Sequence, residues 1–274
     1  MDAMIPTPSP RQTFDDNMRP AMLLLRVYRL LDSNDNIQSE GEMVTALRQI
    51  TQAAADEDLM LIYNELFLGL VRERAQVPRS TLRQSTLCHL LRQAVVASCT
   101  ALETYLPALL RGNLPVVIRA RGRDFVPHGD ADFQSYFSDL QFSLDETLRL
   151  LADENAADYI SNKILGLANF KYLSSRKGIA VVGRLLGLAK PWDELAEHLK
   201  RDKKELMNTL DDTVRRRNDI VHRADRSQDA PGGDPQPITF AWTQQAVDTI
   251  NHICLALDEL VTVRIEQIQA MIAE

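Results

Sequence analysis

"TLRQSTLCHLLRQAVVASCTALETYLPALLR", residues 81–111, is the stretch that most directly predicts the fold of this chain. Apolar or small residues recur in it every three or four positions, at Leu87, Leu91, Val95, Ser98, Leu102, Leu106 and Leu110. That spacing places them on one face of an α-helix, so the stretch predicts a long helix packed against a core. Pro107 is expected to kink this helix or to end it early.

The composition of the whole chain also favours helices. Of its 274 residues, 45% are hydrophobic and 25% charged, and only 11 are glycine and 12 proline. Leucine, alanine, arginine and glutamate are good helix formers, and no strand pattern or internal repeat competes with the helical periodicity. The sequence therefore predicts an all-α fold.

Proline, glycine and polar stretches divide the chain into parts. Residues 1–19 are predicted to be disordered, residues 20–76 to form a helical N-terminal region with a helix at 21–31, and residues 80–274 to form one domain. Residues 112–130 are predicted to be a long connector, because they hold three glycines and two prolines. The remaining predicted helices cover 131–152, 156–168, 176–188, about 192–222 and about 241–273.

The net charge limits the possible partners. At −7 the chain as a whole does not attract nucleic acid, so any RNA contact requires a local basic patch. Two such patches exist, each either a phosphate contact or a solvated surface. They comprise Arg111, Arg119, Arg121 and Arg123, and Arg215, Arg216, Arg217, Arg223 and Arg226.

The cysteines and the apolar runs bear on location. Cys88, Cys99 and Cys254 are scattered through apolar helical patterns, which predicts reduced thiols buried in a core. The most apolar run, 21–31, is too short to span a bilayer and contains Arg26 and Arg29. With no apolar leader at the N-terminus, we expect a cytoplasmic protein without a membrane partner.

"TVRRRNDIVHRADRS", residues 213–227, concentrates cationic chemistry at a predicted helix end. Val214 and Val221, seven positions apart, are predicted to face the core, while Asn218 and His222, four apart, share another face. Arg217 and His222 are five apart and point about 140° away from each other. A histidine in the last helical turn is favoured in its protonated form by the helix dipole.

Arginine and histidine together suit RNA cleavage without a metal. Histidine transfers protons near neutral pH, and arginine stabilises the negative charge that builds up on a phosphoryl group. One histidine does not easily serve as base and acid at once. Two copies of this helix end facing each other would supply both, so the stretch favours a homodimer.

The segment "RRNDIVHRAD", residues 216–225, resembles the signature of the HEPN superfamily, and more narrowly its RiboL-PSP-HEPN-like branch. "AVVASCTALETYLPALL", residues 94–110, resembles the first core helix of that family, with an acid and an aromatic residue at Glu103 and Tyr105. Residues 169–195 resemble the segment that leads to the motif helix. The resemblance covers about residues 80–274.

This resemblance implies a HEPN-like helical bundle, here with an N-terminal helical extension, and a homodimer with a composite cleft. It also implies a metal-independent endoribonuclease without cofactors, acting on RNA as a toxin or an antiviral effector. Arg217 and His222 become the catalytic pair and Asn218 the polar residue beside them. Family toxins regulated by adenylylation carry a tyrosine two residues after the histidine, where this chain has Ala224. An antitoxin or another partner would bind through residues 20–76.

For two acidic residues, Glu103 and Asp219, the sequence allows either a role in orienting the motif or a purely structural role. Glu103 either orients an arginine of the motif or lies at a helix edge in water. Asp219 has a possible orienting role, although Asp219 and Asp225 can also form surface pairs with Arg223 and Arg226. The predicted RNA contacts are Arg215, Arg216, Arg223, Arg226, Arg121 and Arg123.

The sequence also offers a possible metal site and two alternative functions. His128, Asp130 and Asp132 have the right atoms to bind a metal, but the aspartates more simply cap the next helix, and we predict no metal site. In place of an enzyme, the bundle would be a non-catalytic module that binds nucleotide, RNA or protein. Alternatively, it would be a helical interaction protein that docks a partner through residues 21–75.

Overall fold

The computed structural model describes residues 9–31, 84–125, 131–152, 155–227, 229 and 232–273. Every regular element in these ranges is helical, which confirms the all-α prediction. The predictions for residues 1–8 and 32–83, including most of the proposed partner-binding region, lie outside the described residues. None of the described helices combines the length and the apolar character needed to cross a membrane.

The α-helices are α1 Pro10–Leu31, α2 Gln84–Arg121, α3 Ala131–Gln134, α4 Leu144–Ala152, α5 Ala156–Leu165, α6 Arg176–Leu185, α7 Pro191–Leu199, α8 Lys203–Arg223 and α9 Phe240–Ala273. Short 3₁₀ turns occupy Gly122–Asp124, Ser135–Phe137 and Ala168–Phe170. The last predicted helix, 241–273, is confirmed almost to the residue as α9.

The chain divides into two compact units, and several helices contribute residues to both. The first unit takes the described parts of Met1–Asn17, Cys99–Arg215 and Asp248–Glu274. The second takes those of Met18–Ser98 and Arg216–Val247.

Helix α1 begins at Pro10, well before the predicted start at residue 21, so the prediction of disorder is wrong for residues 10–19. Ser9 opens the helix, because its hydroxyl accepts a hydrogen bond from the Gln12 N–H at 3.1 Å. Phe14 and Met18 are buried and continue the apolar stripe of the later residues toward the N-terminus. The run Asp15-Asp16-Asn17 between them hides that stripe in the sequence.

Helix α2 continues through Pro107 and Pro115 to Arg121, so the predicted end near residue 111 is wrong. Leu106 before the two prolines, Leu110 and Leu114 between them and Val117 after them are fully buried. Burial of this stripe offsets a proline cost of about 3 kcal/mol inside a helix. The predicted connector 112–130 is therefore helical over its first ten residues, up to Arg121.

The predicted helix 192–222 is two helices, α7 and α8. Lys200 adopts a left-handed conformation with φ 51°, which ends α7. Asp202 then starts α8, since its carboxylate accepts a hydrogen bond from the Glu205 N–H at 2.7 Å.

The predicted helix 131–152 is also interrupted, and α4 begins afresh after residue 143. Ser143 and Glu146 cap it reciprocally. The Glu146 N–H donates to the Ser143 hydroxyl at 3.2 Å, and the Ser143 N–H donates to Glu146 Oε2 at 2.8 Å. This capping box is a local start signal that overrides a continuous helix.

Each unit has an aromatic anchor. In the first, Tyr105 is fully buried, donates a hydrogen bond to Asp258 Oδ1 at 3.1 Å and meets Phe14 edge-on at 5.4 Å. In the second, Tyr28 and Phe240 stack with ring centroids 6.0 Å apart. Cys99 and Cys254 are buried free thiols, as the sequence predicts, while Cys88 is half-buried.

Candidate functional site

The apolar face of α8 differs from the predicted one. Leu206, Leu210 and Ile220 are buried along it, whereas Val221 is 51% exposed and Val214 is half-buried. The predicted anchor of Val214 and Val221 is therefore wrong. Since α8 is rotated by about one residue, or about 100°, relative to that prediction, Val221 joins the exposed side with His222.

A buried carboxylate organises the end of α8. Asp225 is completely buried and lies between the guanidinium groups of Arg92 in α2 and Arg216 in α8. Arg92 Nε donates to Asp225 Oδ2 at 2.7 Å, and Arg216 Nη2 donates to the same oxygen at 2.9 Å. Arg216 Nε lies 2.6 Å from Oδ1, so both carboxylate oxygens face a positive charge. The predicted surface pair of Asp225 with Arg226 is wrong.

The same two arginines also hold the segment before α9. Arg92 Nη2 donates to the Gln236 carbonyl at 2.8 Å. Arg216 Nη2 donates to the Gln236 and Pro237 carbonyls at 3.1 Å and 2.9 Å, and its guanidinium lies 5.7 Å from the Trp242 ring centroid. These bonds give the Gln236 and Pro237 carbonyls charged donors and tie the partly exposed segment before α9 to α2 and α8. We name the Arg92, Asp225 and Arg216 group the Asp225 cluster.

The backbone after α8 is strained where the Asp225 cluster holds it. Ala224 and Asp225 have φ values of 50° and 63°, and neither is a glycine. A left-handed residue of this kind costs about 1–2 kcal/mol. The Asp225 N–H donates to the Asp219 carbonyl at 2.9 Å, and the Gln236 N–H donates to the Asp225 carbonyl at 2.8 Å. The cluster and these bonds together fix where the helix ends, directly after His222 and Arg223.

The proposed catalytic side chains lie on the outer side of this helix end. His222 and Asn218 are both exposed, one helical turn apart. Arg217 is half-buried, and its Nη1 donates a hydrogen bond to Asn218 Oδ1 at 2.9 Å. Within the described ranges, no hydrogen bond or ion pair involves the His222 ring. The imidazole is accessible to a ligand, and the Arg217 guanidinium is held next to the face that carries it.

The other arginines of the motif have protein partners. Arg215 forms an exposed ion pair with Asp212, and Arg223 forms a partly buried one with Asp219, as the sequence predicts for Asp219. Arg226 Nε donates to the Gly233 carbonyl at 2.8 Å. Arg216 belongs to the Asp225 cluster. Of the predicted RNA contacts in this stretch, Arg215 is therefore the most exposed.

The remaining predicted site residues belong to the first unit. Glu103 is half-buried and accepts a hydrogen bond from the Ser174 hydroxyl at 3.2 Å. Arg121 is half-buried in the last turn of α2, and Arg119 forms an ion pair with Asp158. The side chain of Arg123 lies outside the described residues. The orienting role of Glu103 stays a prediction.

No metal centre is formed by the described part of the chain, in which no group of three or more His, Cys, Asp or Glu side chains could hold an ion. His128, Asp130 and the side chain of Asp132 lie outside it. The buried Cys254 is unsuited to nucleophilic chemistry, since burial raises the pKa of its thiol well above the ordinary value.

Sequence reasoning missed the Asp225 cluster. Arg92 sits directly beside Leu91 on the apolar stripe of α2, and a charged residue there signals a buried partner. The partner itself is 133 positions away, and no local pattern connects the two. Asp225 looks like an ordinary surface acid because the two residues on each side of it are polar or small.

Comparisons with known proteins identify no relative of this chain. No family model matches it, and no curated protein or solved structure is significantly similar to it. Its function therefore has to be inferred from the motif in residues 216–225 and from the geometry at the end of α8.

Proposed function

We propose that this protein is a metal-independent endoribonuclease of the HEPN type, with Arg217 and His222 as its catalytic pair. The observation that carries the proposal is the exposed His222 ring at the end of α8, on the same face as Asn218, to which Arg217 is hydrogen-bonded. The histidine and the arginine belong to the same helix end, where the exposed imidazole is accessible to a phosphodiester.

The reaction needs one proton acceptor, one proton donor and one stabiliser of charge. A ribose 2′-OH attacks the adjacent phosphorus and gives its proton to an imidazole, while the 5′-oxygen leaves and takes a proton from an imidazolium. The products are a 2′,3′-cyclic phosphate and a 5′-hydroxyl. Arg217 keeps its charge throughout and stabilises the phosphoryl oxygens as their negative charge increases.

The geometry of one helix favours a composite site. Arg217 and His222 point about 140° apart, so a single α8 does not direct both at one phosphate. A second copy of the chain would bring its own Arg217 or His222 to the other side of the substrate. It would also supply the second imidazole, so that one histidine acts as base and the other as acid.

The surroundings fit an RNA substrate. Arg215 is exposed, and its ion pair with Asp212 is also exposed, so it exchanges easily for a phosphate. Arg216 takes no part in RNA binding in this proposal, because its donors are directed at Asp225 and at two carbonyls. The biological role that the HEPN resemblance implies, a toxin or an antiviral effector, belongs to the same proposal.

Cleavage of single-stranded RNA in excess EDTA tests the function. The wild-type protein is expected to produce 2′,3′-cyclic phosphate and 5′-hydroxyl ends. His222→Ala should reduce the rate by about 10²- to 10⁴-fold, the usual contribution of acid–base catalysis. Cleavage that requires Mg²⁺, or that persists in His222→Ala at the wild-type rate, would rule the proposal out.

The composite site can be tested with the same assay. Arg217→Ala should be as inactive as His222→Ala. Mixing the two inactive proteins should restore part of the activity, because a mixed dimer contains one site with an intact Arg217 from one chain and an intact His222 from the other. No recovery, with subunit exchange verified by a tag, would show that one arginine and one histidine from different chains do not suffice, as expected if both histidines are needed or if the whole site lies in one chain.

One observation favours a second function, binding without chemistry. If the chain is a monomer, the same 140° angle leaves Arg217 and His222 on separate surfaces, and the exposed arginines then only bind phosphates. Tight RNA binding by a monomeric wild-type protein, with no cleavage of any RNA, would identify this module.

A further inference from the structure

A small cavity lies in the first unit, away from the residues of the proposed catalytic pair in the sequence. Its volume is about 290 Å³, and it is lined by Ser135, Tyr136, Ala168, Asn169, Tyr172 and Lys177. These residues come from two 3₁₀ turns, the segment after the second of them, and the first turn of α6. No function assigned above uses any of them.

Contacts between the two 3₁₀ turns hold one wall of the cavity in place. Asn169 Nδ2 donates to the carbonyls of Ser135 and Tyr136, at 3.3 Å and 3.5 Å, which ties the two 3₁₀ turns together. The Tyr136 ring meets Phe170 edge-on at 5.9 Å, and Phe170 is buried. The cavity therefore has a preformed wall, with the Tyr136 ring fixed from behind.

Tyr172, which also lines the cavity, differs from Tyr136 in its exposure to solvent. The residue is 83% exposed, and among the described residues it has no ring contact or hydrogen bond. A large aromatic ring left in water at the edge of a cavity offers a flat surface for stacking. Base–aromatic stacking is tolerant of sequence, because every nucleobase presents a π face.

The charge of the lining is positive. Lys177 supplies an ammonium group, 5.4 Å from the centre of the Tyr136 ring, and no acidic residue lines the cavity. Burial raises the pKa of the Tyr136 phenol, so this ring stays neutral at physiological pH. The lining thus combines aromatic surface, amide and hydroxyl groups, and one cation.

We propose that this cavity binds a nucleotide, with the base stacked on Tyr172 and a phosphate held by Lys177. A nucleotide has both a flat aromatic ring that can stack on Tyr172 and a negatively charged phosphate that can pair with Lys177. The volume is at the lower end of ligand sites, which fits one nucleotide unit and not a dinucleotide. Resting on the proposed function, the source is an unstacked base of the single-stranded RNA substrate; a free mononucleotide has the same chemistry.

The test is fluorescence anisotropy with a labelled ten-nucleotide single-stranded RNA, using full-length protein that carries His222→Ala so that the probe stays intact. Adding Tyr172→Ala should weaken binding by about 10-fold, within the range expected for one stacked base. Tyr172→Phe should keep wild-type affinity, since the ring remains. Lys177→Gln should weaken binding by about 3-fold and reduce the slope of log affinity against log salt by about 0.7.

Lys171→Gln is the matched control, because this lysine is exposed nearby but does not line the cavity. A mononucleotide that competes at similar concentration would identify the free nucleotide as the source, whereas competition by single-stranded RNA alone would identify RNA. The proposal is overturned if Tyr172→Ala and Lys177→Gln bind both probes as the parent does, or if neither probe binds.

The two proposals fail separately. Loss of the Tyr172 effect in a protein that still cleaves RNA through His222 would remove the cavity and leave the ribonuclease. Tyr172-dependent RNA binding in a wild-type protein that cleaves nothing would remove the ribonuclease and leave the cavity.

Discussion

Arg216 and Arg217 are neighbours in one helix, yet their side chains have different partners and point in different directions. The Arg216 side chain is only 17% exposed and faces the fully buried Asp225, two backbone carbonyls and the Trp242 ring. Arg217 is directed about 100° away, toward Asn218 on the side where His222 is exposed. A single basic run in the sequence thus contains one arginine that belongs to the Asp225 cluster and one that is directed toward Asn218.

This difference has a physical reason. A buried charge is tolerated only with a partner, and once paired it cannot move without a large cost. Arg217 lies outside this cluster, is half-buried and donates a hydrogen bond to Asn218. The Asp225 cluster therefore stabilises the helix end and sets the position of the exposed Asn218 and His222.

The largest expected effect on stability comes from Asp225→Asn. Asparagine has nearly the same size and tolerates a left-handed backbone, so the change mainly removes the charge between Arg92 and Arg216. Leaving two buried guanidinium groups without a counter-charge should lower the free energy of unfolding by about 3–5 kcal/mol. Urea denaturation measures this change.

Asp212→Asn is the control for that variant, because it removes the same charge from an exposed ion pair within α8. It should change the free energy of unfolding by less than about 1 kcal/mol. If both variants lose the same small amount, the Asp225 cluster does not stabilise the helix end.

A smaller effect is expected from Arg92→Lys. Lysine keeps the positive charge but cannot donate to Asp225 and to the Gln236 carbonyl in the fork geometry of a guanidinium. The expected loss is about 1.5–3 kcal/mol, the value of a hydrogen bond to a charged group. Arg111→Lys, at an exposed position of α2, should stay within about 0.5 kcal/mol in the same thermal or urea unfolding experiment.

The smallest effect concerns a surface carboxylate, which serves as a comparison for Asp225. The Lys163 ammonium at 2.5 Å, the Tyr159 hydroxyl and the Ser143 N–H lower the pKa of Glu146 from 4.5 to about 2. The stabilisation that follows is present above the ordinary carboxyl pKa and is lost as the pH falls toward the lowered one.

Urea midpoints measured between pH 4.5 and pH 2 test this linkage. The midpoint of the wild-type protein should fall more steeply than that of Glu146→Gln over this interval, by a modest amount because the site is exposed. Parallel curves for the two proteins would show that the donors around Glu146 contribute nothing measurable.

The fold could be predicted to the extent that it depends on periodicity. Helix α9 and the centre of α2 follow from the spacing of their apolar residues. The helix ends did not follow, because they depend on burial and on caps. Leu114 is buried although it follows Pro107, and Phe14 is buried although Asp15 and Asp16 follow it in the sequence. Asp202 caps a new helix where the apolar spacing alone predicts one continuous helix.

The candidate site was likewise predictable only where it depends on helical spacing. The spacing of Asn218 and His222 predicts a shared helix face, and both residues are exposed in the structure. The choice of Val221 as a buried anchor was wrong, since two adjacent apolar residues, Ile220 and Val221, do not reveal which one faces the core. The partnership of Arg92 with Asp225 depends on contacts between distant segments, which helical spacing does not contain.

The central claim is that His222 contributes to RNA cleavage and not to the stability of the fold. The most direct test is to measure RNA cleavage in EDTA and urea unfolding on the same preparation of His222→Ala. We expect cleavage to fall by at least about 100-fold, while the free energy of unfolding stays within about 0.5 kcal/mol of the wild-type value, because the ring is exposed. Undiminished cleavage would contradict the account, and so would a loss of activity that merely follows a loss of stability.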